Sequence, residues 1–289
     1  MRYEAVERLK GEYPIRCLCH ALEACPSGYY RWCKRGETAR AREDRRLKQQ
    51  ILAIHAETKA RYGTPRVEQE LRRRSVRTSR RRVARLRREL GLRAKAAKAY
   101  QVTTDSDHQL PVMPNRLRRS FDAPAADRVW VGDITYLWTS QGWLYLAIVL
   151  DTYSRRIVGW SLNPSLESDL AVDALDKAIE ARQPAAGLIH HTDRGAQYSS
   201  HDYRRRVEQA QLVFSMSRRG DCWDNAMAES FFKTLKVELG RCFSSRVHAR
   251  RELFDYIECF YNTRRLHSSL GYRSPAEFER LGGLEKVAA

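Results

Sequence analysis

The stretch VWVGDITYLWTSQGWLYLAIVLDTYSRRIVGWSL, residues 129–162, decides the fold of the second part of the chain. It is rich in Val, Ile, Leu, Tyr and Trp, and two short polar segments divide it, which is the pattern of successive β-strands. We predict three antiparallel strands within it, over residues 129–137, 142–151 and 155–162.

Downstream of this stretch, helical and strand-like patterns alternate. Amphipathic spacing predicts a helix over residues 168–182, and a short apolar run predicts a buried strand over residues 187–191. A further helix, strand and helix follow, over residues 200–210, 211–214 and 223–239. The order βββαβαβα is that of the ribonuclease-H-like fold, an α/β core with a mixed five-stranded sheet and helices.

Upstream, residues 1–100 have helical spacing throughout, so an all-α helix-turn-helix region is expected to precede the core. Two short helices are predicted around Ser27-Gly28, and three short helices with tight turns between residues 45 and 100. The resulting division is a small helical unit over 1–44, a basic helix-turn-helix domain over 45–100, a linker over 101–125, a ribonuclease-H-like core over 126–280 and a tail over 281–289.

The third helix of the predicted helix-turn-helix domain is exceptionally basic. Thr78 or Ser79 is expected to cap it, and Arg81, Arg82, Arg85 and Arg88 surround its apolar stripe as candidate DNA contacts. An Arg-rich helix can equally be a solvated outer face. The distribution of charge favours DNA, because the repulsion among so many like charges is relieved by a polyanion.

That distribution is strongly uneven. The 289 residues contain 53 Lys+Arg and 35 Asp+Glu, a formal charge of +18, yet residues 1–120 alone hold 31 Lys+Arg and 13 Asp+Glu, which accounts for the whole excess. No apolar run is long enough for a membrane helix, so no membrane partner is expected. Seven Cys without a secretory signal indicate reduced thiols and a cytoplasmic location.

Three acidic residues fall where the predicted fold can bring them together. Asp133 lies within the first strand, Asp193 follows the buried strand, and Glu229 lies inside the last long helix, with 35 residues between the last two. Each alone has an ordinary explanation, as a strand-edge residue, a loop cap or an exposed helix position. Together they form an oxygen-donor set suited to two Mg²⁺ ions, for which Mn²⁺ can substitute, and to in-line phosphodiester displacement.

Several sequence strings carry a family resemblance. They resemble the catalytic core of retroviral integrases and DDE transposases, and above all the second-reading-frame (OrfB-type) transposases of the bacterial IS-three family of insertion sequences. The matching strings are Trp130-Val131-Gly132-Asp133-Ile134-Thr135-Tyr136, His191-Thr192-Asp193-Arg194-Gly195, Trp223-Asp224-Asn225-Ala226 with Glu229-Ser230-Phe231-Phe232, and Tyr261-Asn262-Thr263-Arg264-Arg265-Leu266-His267.

The resemblance implies a function. It assigns Asp133, Asp193 and Glu229 as a catalytic, metal-binding DDE triad, and it places a DNA-contacting basic residue at Lys236. The implied activity is DNA cleavage and strand transfer on double-stranded DNA, both element ends and target, by a homo-oligomer. The family also implies an upstream-frame (OrfA-type) partner or fusion.

Further candidates lie around these positions. Helical geometry places Glu229, Lys233 and Lys236 on one face, so both lysines are candidate DNA contacts, and Asn225 on the Glu229 side is a candidate to support the site. His190 or His191 is expected either in the core or beside the site. The clustered residues Cys17, Cys19, His20, Cys25 and Cys33 lack paired zinc-ligand spacing, so free thiols are expected.

Two other functions fit the same fold. One is a ribonuclease-H-like nuclease that cuts without joining, against which the helix-turn-helix domain and Lys236 argue. The other is a non-catalytic DNA-binding regulator derived from a transposase. The loss of any triad acid would favour that second possibility, and all three acids are present.

Overall fold

The chain divides into two units in a computed structural model, Met1–Ala94 and Lys95–Ala289. The residues that the structure describes are 2–34, 37–95, 113–117, 123–218 and 225–287. No helix in these ranges combines the length and apolar character that a membrane crossing requires. The predicted Trp223 position, most of the predicted linker and the last two residues lie outside the described residues.

The first unit is entirely helical. Its helices are α1 Arg2–Leu9, α2 Ile15–Ala21, α3 Pro26–Lys34, α4 Ala39–Glu57, α5 Thr64–Arg73 and α6 Arg80–Glu89.

Helices α1 to α3 share a small core around Val6, Leu18 and Tyr29. The two short helices predicted around Ser27-Gly28 correspond to α2 and α3, and both residues lie inside α3. Gly28 faces Tyr3 of α1, since a Cβ at this position would meet the Tyr3 hydroxyl.

Helices α4 to α6 form the predicted helix-turn-helix unit, with differences at the helix starts. The first helix is not short: it begins at Ala39, after Thr38 caps it by accepting the Ala41 N–H at 3.1 Å, so the predicted boundary at residue 45 falls within α4. Its first two turns are polar and therefore give no apolar periodicity. Gly63 occupies the N-cap position of α5, and Ser79 caps α6 as expected.

The second unit contains a sheet with helices on both faces. Its elements are β1 Val129–Thr139, β2 Gly142–Asp151, β3 Ile157–Asn163, α7 Ser168–Arg182, β4 Ile189–Thr192, α8 Ala196–Ser199, α9 His201–Gln209, β5 Val213–Met216, α10 Ala226–Glu238, β6 Cys242–Phe243, α11 Arg246–Phe254, a π-helical segment Asp255–Tyr261, a 3₁₀ turn Ser268–Leu270 and α12 Pro275–Val287.

The strand order is β3-β2-β1-β4-β5. β1, β2 and β3 are antiparallel, whereas β4 runs parallel to β1 and β5 parallel to β4. This is the predicted ribonuclease-H-like arrangement, and the predicted fold class is confirmed. The short β6 adds a sixth strand by pairing parallel with Trp138 and Thr139 at the end of β1.

The main core lies between the sheet and helices α7 and α9. Its largest members include Trp130 on β1, Leu170 and Leu175 on α7, and Tyr203 on α9. α10 packs on β1. The position of α10 matters for the site, because this helix carries Glu229.

Two segments are more ordered than the sequence suggests. α12 continues to Val287, so residues 281–287 extend a helix where a tail was predicted. The predicted linker also contributes contacts, since the backbone N–H of Arg116 donates to the hydroxyl of Ser215 on β5 at 2.9 Å. Both segments lack a strong apolar period, so the sequence carries no periodic signal for them.

Candidate active site

Asp133 and Asp193 lie side by side where the pairing of β1 with β4 ends. Gly132 on β1 pairs with Thr192 on β4, which is the last pair of this parallel ladder. Each aspartate is the next residue along its strand, so both stand where the paired section of two adjacent parallel strands ends. This edge of an open sheet is where ligand sites usually lie.

Local hydrogen bonds fix both carboxylates. The Ile134 N–H donates to Oδ1 of Asp133 at 2.8 Å, and the Gly195 N–H donates to Oδ1 of Asp193 at 2.9 Å. Gly132 is needed beside them, because a Cβ there would lie 3.2 Å from both the His190 ring and the Thr192 methyl group. The glycine therefore permits the close packing of β1 against β4 at this edge.

Glu229 reaches the same edge from the first turn of α10. The start of this helix is tied to β1, because the buried Asn225 amide donates from Nδ2 to the Gly132 carbonyl at 3.1 Å. The sequence led us to expect Asn225 to support the site from the Glu229 side. The structure gives it a contact to the β1 backbone next to Asp133, and its buried Oδ1 accepts no hydrogen bond from a residue that the structure describes.

The three acids influence one another electrostatically. Burial and then the negative charge of Asp193 raise the pKa of Asp133 well above its usual range, and Glu229 adds to this rise. Burial and the charge of Asp193 likewise raise the pKa of Glu229. Neither Asp133 nor Glu229 forms a salt bridge with a basic residue that the structure describes. Repulsion of this kind is relieved by a bound cation.

The donor chemistry of the three carboxylates fits a hard divalent metal. Three acids that contribute only oxygen ligands suit Mg²⁺, which is usually bound by one or two carboxylates together with water and phosphate. Within the described ranges, no group of three or more His, Cys, Asp or Glu side chains is already arranged to hold a metal ion. The acids therefore meet within electrostatic reach but not at coordinating geometry.

Three family models match the chain. An integrase core domain matches residues 123–222, a second integrase core domain matches residues 210–275, and an HTH-like domain matches residues 41–100. Together the two core models span all three acids.

Whole proteins are also similar to this chain over nearly its full length. The chain is 42% identical over 283 residues to the transposase InsF for insertion sequence IS3A of Escherichia coli strain K12, covering 96% of this chain and 98% of that protein. The chain belongs to the IS3 family of transposases. It is also 44% identical over 263 residues to a 31 kDa protein of insertion element IS600 from Shigella sonnei, covering 90% of this chain and 97% of the relative.

With its integrase core, the transposase is a polynucleotidyl transferase of the DDE type, a class that uses divalent metal ions, and its HTH-like domain makes it a DNA-binding protein. Solved structures are more distant. A simian T-cell lymphotropic virus intasome matches at TM-score 0.45 and 12% identity over 79% of this chain and 74% of that one. The HTLV-2 integrase catalytic core domain in complex with magnesium matches at TM-score 0.41 and 13% identity over 54% and 99%.

Lys236 of the transposase lies on α10 in reach of the acids. Burial and then the charge of Arg241 lower the pKa of Lys236, and the charge of Asp133 opposes this change. Its Nζ stands 4.8 Å from the centre of the Tyr136 ring, a contact that the sequence did not indicate. Lys233, one turn earlier, is exposed.

The four candidate arginines of α6 fall into two pairs. Arg82 and Arg85 both contact Asp44 of α4 at 2.7 Å, and their hydrogen bonds lower the pKa of that carboxyl. Arg81 and Arg88 are exposed. One pair therefore stabilises the packing of α6 on α4, and the other is open to solvent.

The two histidines lie in the core. His190 contacts the Tyr203 hydroxyl at 2.5 Å, and burial lowers its pKa to about 3. His191 contacts the hydroxyls of Ser215 and Ser217 at 2.8 and 3.1 Å. Of the cysteines near the N-terminus, Cys19 is buried, and Cys17, Cys25 and Cys33 are exposed free thiols.

A buried polar network behind the site was missed by the sequence analysis. Glu238 at the end of α10 contacts Arg265 at 2.7 Å and accepts from the Tyr256 hydroxyl at 2.9 Å. Asn262, three residues before Arg265, ties the same segment to the sheet, since it exchanges two hydrogen bonds of 2.9 and 3.0 Å with the backbone of Ile157. The string Tyr261–His267 was recognisable as a motif, but only the fold shows that it fastens the helix bearing Glu229.

Proposed function

We propose that Asp133, Asp193 and Glu229 are the catalytic and metal-binding residues with which this transposase cleaves and joins DNA. One observation carries the proposal: carboxylates from β1, from the end of β4 and from α10 interact at one edge of the sheet, where the pKa values of Asp133 and Glu229 are raised. Two Mg²⁺ ions bound there would activate the attacking oxygen and stabilise the leaving oxygen of a phosphodiester.

The chain's own contribution is to position these acids. Backbone N–H donors fix Asp133 and Asp193, while the Asn225 contact with Gly132 fixes the start of the helix that carries Glu229. The reaction is cleavage at an element end to free a 3′-hydroxyl, followed by attack of that hydroxyl on a second phosphodiester. Holding the reacting groups in place supplies much of the rate enhancement in reactions of this kind.

Lys236 and Lys233 are proposed to hold the DNA end. Both lie on the helix of Glu229, and Lys236 interacts electrostatically with Asp133. An ammonium group binds phosphate as a point charge, so one group beside the carboxylates can attract DNA and fix the strand being joined. Lys233, more exposed, would act farther along the same backbone.

Arg81 and Arg88 of α6 are proposed as phosphate contacts of the HTH-like domain, because they are exposed and lie seven residues apart on one helix face. Arg82 and Arg85 orient this helix through Asp44. The relatives are transposases of bacterial insertion sequences. By analogy, we expect action on bacterial DNA as a homo-oligomer, together with an upstream-frame (OrfA-type) partner or fusion.

A strand-transfer assay tests the proposal. Purified protein, a duplex carrying the element's terminal repeat and a plasmid target are incubated with Mg²⁺ or with EDTA. We expect cleaved and joined products with Mg²⁺ alone, and neither product from Asp193→Asn, which keeps the shape of the side chain. Activity of Asp193→Asn equal to that of the wild type would contradict the assignment.

A further inference from the structure

The β1–β2 hairpin exposes three aromatic side chains beside the site. Tyr136, Trp138 and Trp143 are 41%, 46% and 46% exposed, and we refer to them as the hairpin patch. The strand register sets Trp138 directly opposite Trp143. Exposed aromatic clusters of this size usually mark a binding surface, because contact between large apolar rings and water is unfavourable and a bound partner removes it.

The rings of the hairpin patch form a continuous surface. The Trp138 and Trp143 centroids are 4.8 Å apart, and those of Tyr136 and Trp143 are 5.2 Å apart, both with edge-to-face geometry. Edge-to-face packing sets the edge of one ring against a face of its neighbour, and each of the three rings is still at least 41% exposed. A planar ligand can therefore stack on the ring surface that remains exposed.

Basic side chains lie beside the same patch. The Lys236 ammonium stands over Tyr136, the charge of Arg241 acts on Lys236, and the Arg246 guanidinium lies 3.7 Å from where a Cβ on Gly142 would stand. Among the described residues, none of these three basic side chains forms a salt bridge with an acid. The surface thus offers aromatic rings together with cations that can contact phosphate.

We infer that the hairpin patch binds unpaired nucleotides of the DNA end on which the transposase acts. Open aromatic faces combined with backbone-binding cations are the features by which proteins hold single-stranded nucleic acid. Paired bases in a duplex do not present their faces, so the ligand must be frayed or single-stranded. This inference rests on the proposed function, because Lys236, the proposed contact to the DNA end, stands over the Tyr136 ring of the patch.

The partner is a nucleic acid and not a second protein for a reason of charge. A protein surface that covered the patch would have to neutralise Lys236, Arg241 and Arg246 with acids of its own, whereas a nucleotide supplies both an aromatic ring and a phosphate. The patch also contacts Lys236, the proposed holder of the DNA end, through Tyr136.

The test compares two DNA probes on the full-length protein. One is a blunt duplex, and the other is the same duplex with a single-stranded tail of five thymidines; binding is measured by fluorescence anisotropy. We expect the wild type to prefer the tailed probe about tenfold, the magnitude of base stacking on aromatic side chains. Trp138→Ala/Trp143→Ala should remove this preference and weaken blunt-duplex binding far less.

Two controls keep the result interpretable. Phe254→Ala removes another exposed aromatic residue, 53% exposed, and should keep the preference. Trp138→Phe/Trp143→Phe retains ring faces and should keep most of it, which separates stacking from loss of folding. An equal affinity of the wild type for both probes, or a preference that survives Trp138→Ala/Trp143→Ala, would overturn the inference.

Two further readouts separate the alternatives. Mg²⁺-dependent cleavage of the blunt duplex is measured in the same samples: cleavage without any tail preference would remove the inference and leave the proposed function standing. Absence of cleavage together with a preserved tail preference would contradict the proposed function and leave tail binding by the patch standing. A change in oligomeric state in Trp138→Ala/Trp143→Ala with unchanged tail preference, seen by light scattering, would assign the patch to contact between copies and overturn its role in DNA binding.

Discussion

Glu229 and Glu238 lie nine residues apart on α10 in opposite electrostatic surroundings. Glu238 is 4% exposed, yet Arg265 and the Tyr256 hydroxyl satisfy its charge. Glu229 lies among other acids, and its pKa is raised. A buried acid that is paired within the chain stabilises the fold. An acid that lies among like charges is instead suited to bind a metal cation.

The largest expected effect is on catalytic activity, which should depend on the charge of Glu229. Glu229→Gln should lower Mg²⁺-dependent cleavage and joining by about 10³-fold or more, since metal ions supply several kcal/mol of transition-state stabilisation. DNA binding should stay near its wild-type value. Cleavage retained by Glu229→Gln would place this residue outside the catalytic set.

The second expected effect distinguishes Glu238 from Glu229 by its contribution to the free energy of unfolding. Arg265→Met leaves Glu238 buried without its cation, so the free energy of unfolding should fall by about 3–5 kcal/mol in urea titrations. Glu238→Met/Arg265→Met removes both charges and should recover most of that loss. If Arg265→Met were no less stable than wild type, the pair would not be what fastens α10.

The sequence predicted the elements whose limits are marked by turns and apolar periods. β2 and α7 have the bounds expected from Gly142 and from the spacing of Leu170 and Leu175. The polar start of α4 was missed because its limit depends on a cap at Thr38 and not on periodicity.

The site, like the fold, has features that the sequence predicts and others that only tertiary packing determines. Asp133, Asp193 and Glu229 were identifiable as candidates from their places in the predicted order of strands and helices. The partners of Glu238 and of Arg82 were not, because Arg265 is 27 and Asp44 is 38 positions away, and only the packed fold brings them together. Sequence spacing therefore predicts where acids cluster better than it predicts which charges are paired.

A third, smaller effect concerns Lys236. Lys236→Ala should reduce joining about tenfold and nicking of a non-specific duplex less, because joining needs the DNA end held in line with a second phosphate. Gel assays with pre-cleaved ends measure the two steps separately. An equal fall in both would assign Lys236 to support of the acids or the helix.

The smallest effect extends the contrast between paired and unpaired charges to α6. Arg81→Ala/Arg88→Ala should lower the slope of log affinity against log salt by about two units, one for each phosphate that is no longer neutralised. Arg82→Ala/Arg85→Ala should instead lower stability, since Asp44 loses its partners. Equal salt slopes for the wild type and Arg81→Ala/Arg88→Ala would show that these two side chains face solvent in the complex.

Thermal unfolding in the presence and absence of Mg²⁺ tests the central claim most directly, that the clustered carboxylates at this edge of the sheet await a cation. A raised pKa means that the folded protein holds this proton more tightly than the unfolded chain, so metal-free stability falls as pH rises above the usual pKa of Asp133 toward its raised value. Asp133→Asn should therefore be more stable than wild type without metal at pH 7.

Mg²⁺ at 100 times its Kd should stabilise the wild type by about 2.7 kcal/mol and leave Asp133→Asn almost unchanged, while Arg265→Met should respond to Mg²⁺ like the wild type. A wild-type melting temperature that does not respond to Mg²⁺, or an equal rise in Asp133→Asn, would contradict the account.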